Sequence, residues 1–189
     1  AGHFIDLLAG MRGRLSGTVA SSEDTARKLT ERGIAVLDMG AIRELPIYVD
    51  GADEVDPQLR LIKGGGGALT RDKLLATVSP LFVCIVDEAK LVPRLGAFPL
   101  PMEVLPPARS VVSAAVERLG GRPRVREGFV TDNGNLILDV HGLDLGEPEE
   151  RERQLDALPG VVECGLFAAR RADVVLSAGV GGVRVVEPA

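Results

Sequence analysis

Four consecutive glycines, Gly64 Gly65 Gly66 Gly67, follow a short apolar run and precede a helix-forming one, and no other feature of the chain constrains its fold as tightly. Glycine reaches backbone conformations closed to other residues and brings no β-carbon, so a tight, amide-rich turn is expected between two regular elements. The run Pro46 Ile47 Tyr48 Val49 reads as a buried strand that stops abruptly at Asp50 Gly51 Ala52 Asp53 Glu54. A second apolar run, Leu59 to Ile62, ends at Lys63, and a helix is expected from about Ala68 to Val78 with Asp72 early in it. In open parallel α/β sheets, loops at the carboxyl ends of strands converge on a crevice where ligands bind. Asp50, Asp53, Lys63 and the glycine amides all fall at such ends, and the free amides of the following helix favour phosphate or an enolate oxygen.

Each piece alone has a plainer reading. An aspartate after a strand is usually a turn-former or helix cap, and a glycine run is usually a flexible loop. The common nucleotide fingerprints fail: Thr70 and Arg71 stand where G-x-x-x-x-G-K-[ST] needs other residues, and Leu69 occupies the last glycine of G-x-G-x-x-G. What lifts the segment above turn chemistry is the combination of Asp50, Asp53, Asp72, Lys63 and an amide-rich turn, which suits proton transfer beside a carbonyl.

The rest of the chain alternates as an α/β protein should. Strands are expected near Thr18 to Ala20, at Ile34 to Asp38, at Ile47 to Val49 and at Phe82 to Val86, with a helix from Glu23 to Arg32. The stiff crossing Phe98 Pro99 Leu100 Pro101 marks a domain boundary. Beyond it a strand near Glu103, a helix from Ala108 to Leu119, a hairpin turned by Asn133 Gly134, a strand at Leu136 to Val140, a helix from Glu147 to Leu158 and a strand at Val161 to Leu166 give the order β-α-β-β-α-β of a ferredoxin-like unit. The tail, Ala172 to Val186, returns to the first domain as a further strand, with glycines 179, 181 and 182 as a turn. The expected architecture is α/β, a Rossmann-like three-layer domain over residues 1–98 and 170–189 with a smaller ferredoxin-like α+β domain, 99–169, inserted in it.

With a net charge of −5 and no basic cluster denser than Arg122 Pro123 Arg124 Val125 Arg126, a nucleic-acid partner is disfavoured, and that arginine trio reads as a solvated strand face. No apolar run approaches a membrane span and no secretory leader is visible, so the cytoplasm is the default. Cys84 and Cys164 sit in apolar runs without C-x-x-C spacing and read as buried thiols. His3 and His141 are isolated, so neither a metal site nor a cofactor is implied. At the front, Phe4, Leu7, Leu8 and Met11 follow helical spacing while Ala1 Gly2 His3 offers no cap, so the sequence is expected to start inside a helix.

The D-G-A-D-E at Asp50 to Glu54, the K-G-G-G at Lys63 to Gly66 and the T-R-D-K at Thr70 to Lys73 resemble, in order and spacing, the signature of the type A ribose-5-phosphate isomerases. Further similarity lies in Phe82 to Asp87 with Lys90, Phe98 to Pro101 with Glu103, Leu119 to Pro123, Thr131 to Asn135, and Pro159 to Val162 with Gly165 to Phe167. The resemblance implies a cofactor-free aldose-ketose isomerase acting on a phosphosugar through a cis-enediolate. Asp72 would be the general base, Lys63 and the glycine amides the stabilisers of the developing oxyanion, and Asp50 and Asp53 the residues handling hydroxyl protons. Gly51, Ala52, Gly64, Gly65, Gly66 and Lys90 would bind substrate, with Ser21 and Ser22 either adding hydroxyl contacts or capping a helix. It also implies a homodimer or homotetramer. Two departures stand out: Asp72 occupies the place of the family's glutamate, on a stem one methylene shorter, and the family's first helix, first strand and phosphate loop are not found in this sequence. The competing expectation is a phosphosugar-sensing module of the same fold that does not turn its ligand over.

Overall fold

The computed structural model describes residues 2–188. Helix α1, Gly2–Ala9, forms as the spacing predicts, but its buried face is turned from the expected stripe. Ile5 is the buried residue, whereas Leu7 is 72% exposed. The reason is its neighbour: Ile5 packs with Leu29 and Ile34, so the seam runs through Ile5, Leu8 and Ala9 against helix α2, Glu23–Glu31.

The strands expected near Thr18 and Ile34 reduce to one parallel bridge, Thr18 to Val36, with the Leu37 N–H donating to the Thr18 carbonyl at 2.7 Å. Both runs are pulled out of extended pairing within a few residues by side-chain caps. Ser22 Oγ accepts the Thr25 N–H to open α2, and Asp38 accepts the Gly40 N–H to open a 3-10 turn at Met39–Ala41.

Strand β1, Tyr48–Asp50, leads into β2, Glu54–Val55, and β3, Leu61–Ile62, and the glycine turn then feeds helix α3, Leu69–Thr77. Strand β4, Phe82–Asp87, pairs parallel with β1, so α3 lies on the crossover between them. The run ending at Lys63 does form β3, but it pairs antiparallel with β2 in a short, fully buried ladder that the local sequence does not mark.

Strands β5, Leu100–Val104, β6, Arg122–Val125, β7, Leu136–His141, and β8, Val161–Cys164, with helices α4, Arg109–Arg118, and α5, Pro148–Asp156, follow the expected β-α-β-β-α-β order. Their sheet runs β6-β7-β5-β8, antiparallel throughout, which is the ferredoxin-like arrangement. Asn133 and Gly134, the latter at φ +81°, do turn the chain, but inside the longer loop 126–135 and not directly between the strands.

The single strand expected from Val161 to Leu166 is two. At Gly165 the chain leaves β8 and becomes β9, Leu166–Phe167, which pairs with β3 in another sheet. A β-carbon at Gly165 would lie 2.3 Å from the Lys63 carbonyl, so only glycine lets the backbones cross there. The tail returns as expected: β10, Val174–Gly179, pairs parallel with β4, and β11, Gly182–Val186, folds back on it antiparallel.

One apolar core lies under the ferredoxin-like sheet, with Met102, Val112, Leu138 and Leu155 fully buried; a second gathers Tyr48, Leu75, Phe82, Phe167 and Val175 around β1, β4 and β10. Cys84 and Cys164 are buried free thiols, as expected. No helix among the described residues is long and apolar enough to cross a membrane.

Candidate active site

Strand β1 has a two-residue period, so Tyr48 and Asp50 share a face, where Asp50 meets Lys63 and Tyr48 meets Asp72. Lys63 follows β3, and Asp72 stands in the first turn of α3. Lys63 Nζ donates to Asp50 Oδ2 at 2.6 Å and to the Gly51 carbonyl at 2.7 Å, and lies 3.3 Å from Asp72 Oδ2. The Tyr48 hydroxyl lies 2.7 Å from Asp50 Oδ2 and 3.1 Å from Asp72 Oδ1. One cation and one hydroxyl therefore join two carboxylates in a closed ring.

Burial and charge drive the two carboxylates apart. Burial raises the Asp72 carboxyl, the Lys63 ammonium lowers it and the Asp50 charge raises it again; the outcome is a carboxyl raised above its ordinary value. At Asp50 burial also acts upward, but the close Lys63 charge and the hydrogen bonds from Lys63 and Tyr48 outweigh it, so that carboxyl is held low. Burial alone would lower Lys63, yet its two carboxylate neighbours keep it firmly protonated. Two adjacent carboxyl groups with separated affinities, one ionised and one poised to take a proton, are the usual material of acid-base chemistry.

The glycine turn is held from both sides. Asp53 Oδ2 accepts the Gly65 N–H at 2.8 Å, which takes that amide away from any ligand, while the Gly66 N–H has no protein acceptor among the described residues. On the other side Arg126 donates to the carbonyls of Gly64 and Gly65 at 3.2 and 3.0 Å, and Asp139 grips the same guanidinium. Arg126 is thus no part of a solvated strand face; Arg122 and Arg124 are exposed as expected. Gly64 and Gly67 take positive φ, and Phe129 packs so close to Gly67 that a β-carbon there would lie 2.1 Å from the ring.

These groups wall a cavity of about 520 Å³. Of the residues singled out in the sequence, Ser21, Ser22, Asp50, Gly51, Ala52, Asp53, Lys63, Gly64, Gly65, Gly66 and Asp72 line it. Ser22 caps α2, whereas Ser21 faces Asp72 and acts to lower its carboxyl. Lys90 does not line it: it ends a 3-10 turn after β4 with Nζ 6.0 Å from the centre of the Phe98 ring. The sequence did not single out Tyr48 of the ring, nor Asp24, Thr25, Phe129, Val130 and Asp132 of the cavity wall. Tyr48 was legible, two residues before Asp50 on the same strand. Phe129, Val130 and Asp132 come from loop 126–135, whose local sequence carries no sign that it reaches the glycine turn.

Behind the wall, Lys73 donates to Glu152, Glu163 and the Leu166 carbonyl at 2.6, 2.8 and 2.6 Å, anchoring α3 to α5 and β9. Among the described residues the one close group of potential metal ligands is Asp156, Glu163 and Cys164; none lines the cavity, and Glu163 is committed to Lys73.

The family model of ribose 5-phosphate isomerase A (phosphoriboisomerase A) matches residues 17–182. The chain is 58% identical over 184 residues to a ribose-5-phosphate isomerase A of Bordetella parapertussis, an alignment covering 97% of this chain and 81% of the relative. The crystal structure of ribose 5-phosphate isomerase A from Neisseria gonorrhoeae superposes with a TM-score of 0.97 at 41% identity, covering 100% of this chain and 84% of that one. A D-ribose-5-phosphate isomerase in complex with phospho-erythronic acid superposes with a TM-score of 0.91 at 35% identity, covering 98% and 86%. Sequence and fold agree along almost the whole length, and the chain belongs to the ribose 5-phosphate isomerase A family.

Proposed function

We propose that Asp72 carries the proton in the interconversion of D-ribose 5-phosphate and D-ribulose 5-phosphate, the activity of the family to which the chain belongs. The observation that carries this reading is the ring of Tyr48, Asp50, Lys63 and Asp72, in which Asp72 is buried yet open to the cavity, with its carboxyl raised by burial above its ordinary value. Asp72 takes the proton from C2 of the open-chain aldose. Negative charge then spreads over O1 and O2 of a cis-enediolate, where the Lys63 ammonium and the free Gly66 amide supply fixed donors. Asp72 returns the proton to C1, and the ketose results with no cofactor consumed. Asp50, held ionised, and Asp53 serve the hydroxyl protons and ring opening. Phospho-erythronic acid, bound by a structural relative, carries a carboxylate where the enediolate would be, which supports an oxyanion-stabilising site here.

Gly51, Ala52, Gly64 and Gly65 shape the substrate cradle in the same reading. Lys90 would serve phosphate only by swinging away from Phe98. Residues 1–98 with 170–189 form one unit and 99–169 a second, and a cytoplasmic homodimer or homotetramer accompanies family membership. A sensing module gives no reason for holding two carboxylates against one buried lysine.

The test is Asp72→Asn, followed by proton NMR of ribose 5-phosphate in deuterated buffer. The expected result is loss of both C2 exchange and ribulose 5-phosphate by about 10²–10⁴-fold, with phosphosugar binding retained. Undiminished turnover would remove Asp72 from the chemistry; a wild-type chain that binds without exchanging would make it a sensor.

A further inference from the structure

A hydroxyl carries one proton and two lone pairs, yet the Tyr48 hydroxyl stands between two carboxylate oxygens, 2.7 Å from Asp50 and 3.1 Å from Asp72. It cannot donate to both. Asp50 Oδ2 has a second, shorter donor in Lys63 Nζ at 2.6 Å, whereas Lys63 lies 3.3 Å from Asp72, beyond ordinary hydrogen-bond length. The tyrosine is 7% exposed, its ring packs on Phe82 at 5.0 Å between centroids, and its phenol is kept protonated by burial and by both carboxylates. Only rotation about its C–O bond is left to it.

We propose that Tyr48 is a positioning residue whose hydroxyl turns with the proton on Asp72, donating to Asp72 when that carboxylate is ionised and to Asp50 when Asp72 holds the proton taken from substrate. In the first state Asp50 keeps Lys63. In the second the Asp72 O–H donates to the Tyr48 oxygen and the Tyr48 O–H to Asp50, so every buried polar atom of the ring is satisfied before and after proton transfer. No proton leaves the tyrosine. The proton moves between C2 or C1 and Asp72, and the hydroxyl reorients so that neither protonation state of the base is left with an orphaned buried group. This rests on Asp72 being the base.

Groups facing Asp72 from each packed element bear on its titration. Asp50 and Tyr48 face it from β1, Lys63 from the end of β3, and Ser21 from the turn before α2. Cys84 of β4 sits near Lys63 and Asp50, but burial pushes its thiol up to about 12, so it stays neutral. Asp24, Asp53 and Asp132 line the same cavity. On its own helix, Arg71 and Lys73 are turned away to Glu23 and to Glu152 with Glu163.

A hydrogen bond to an ionised carboxylate is stronger than one to its acid, so removing the hydroxyl costs the ionised form more. Tyr48→Phe, which keeps the ring, should therefore move the acid limb of the kcat profile up by about one pH unit, lower kcat by up to about tenfold on the acid side of that limb, and leave KM within about threefold. Tyr48 is the chain's single tyrosine, so biosynthetic replacement of tyrosine by 3-fluorotyrosine alters this hydroxyl alone. The more acidic phenol is the better donor and should move the same limb down; this arm stands even if the phenylalanine variant does not fold. An acid limb that moves in neither protein, while Asp72→Asn is inactive, would overturn the role of Tyr48. Full activity in Asp72→Asn would instead overturn the assignment of the base.

Discussion

Lys63 is an ammonium with 4% of its side chain exposed, held between Asp50 and Asp72. Such a charge survives burial only because both partners are present, and removing it leaves the buried Asp72 and the partly buried Asp50 without their cation. Lys63→Met should lower unfolding free energy by about 3–5 kcal/mol in urea titrations, the range for breaking a buried ion pair from one side. The same change removes the charge that lowers Asp72, so the acid limb of any residual activity should move to higher pH. The sign follows from the base having to be ionised: a higher Asp72 pKa widens the range over which it is protonated and inactive. The short stem of Asp72 does not withdraw it from the site, since its carboxylate lies 3.3 Å from Lys63 and 3.1 Å from the Tyr48 hydroxyl and lines the cavity.

At the scale of elements, the glycine turn is what turns a strand end into a cradle, and its four members are not equivalent. Gly67 has φ +80° and Phe129 packed against the place of its missing β-carbon, whereas Gly66 has no atom within 4 Å of that place. Gly67→Ala should therefore cost about 2–4 kcal/mol through left-handed strain and overpacking, and Gly66→Ala less than about 1 kcal/mol, as read from chemical denaturation midpoints. The turn itself was legible in the four glycines. Its restraint by Arg126 and Asp53 was not, because nothing in the local sequence says which distant side chains will close on it.

Across the whole molecule, Glu103 couples the ferredoxin-like sheet to the site. It is fully buried in β5, yet accepts hydrogen bonds from Thr70 at the start of α3 and from Thr131, Asn133 and Asn135 of the loop that carries Phe129 and Asp132. Arg71 reinforces the link through Asn133 and Glu23. Glu103→Ala leaves several buried donors without partners and should lower Tm by roughly 10 °C in calorimetry. KM should rise as well, although Glu103 does not line the cavity, because the wall it braces loosens.

Local chemistry was enough to determine the strands ending at Asp50, the turn at Gly64 to Gly67, the helix bearing Asp72 and the ferredoxin-like order, since apolar runs, caps and glycines act over a few residues. It overstated the strands at Thr18 and Ile34, where capping by Ser22 and Asp38 wins over pairing, and it joined β8 to β9 across Gly165, where a backbone crossing decides. Only the tertiary structure decided that Tyr48 bridges the two carboxylates, that Glu103 of the ferredoxin-like sheet and Arg126 of the loop after β6 serve the site, and that Lys90 faces Phe98. Those outcomes depend on which distant surfaces meet, and the same packing supplies the burial that raises Asp72 above its carboxylate neighbour.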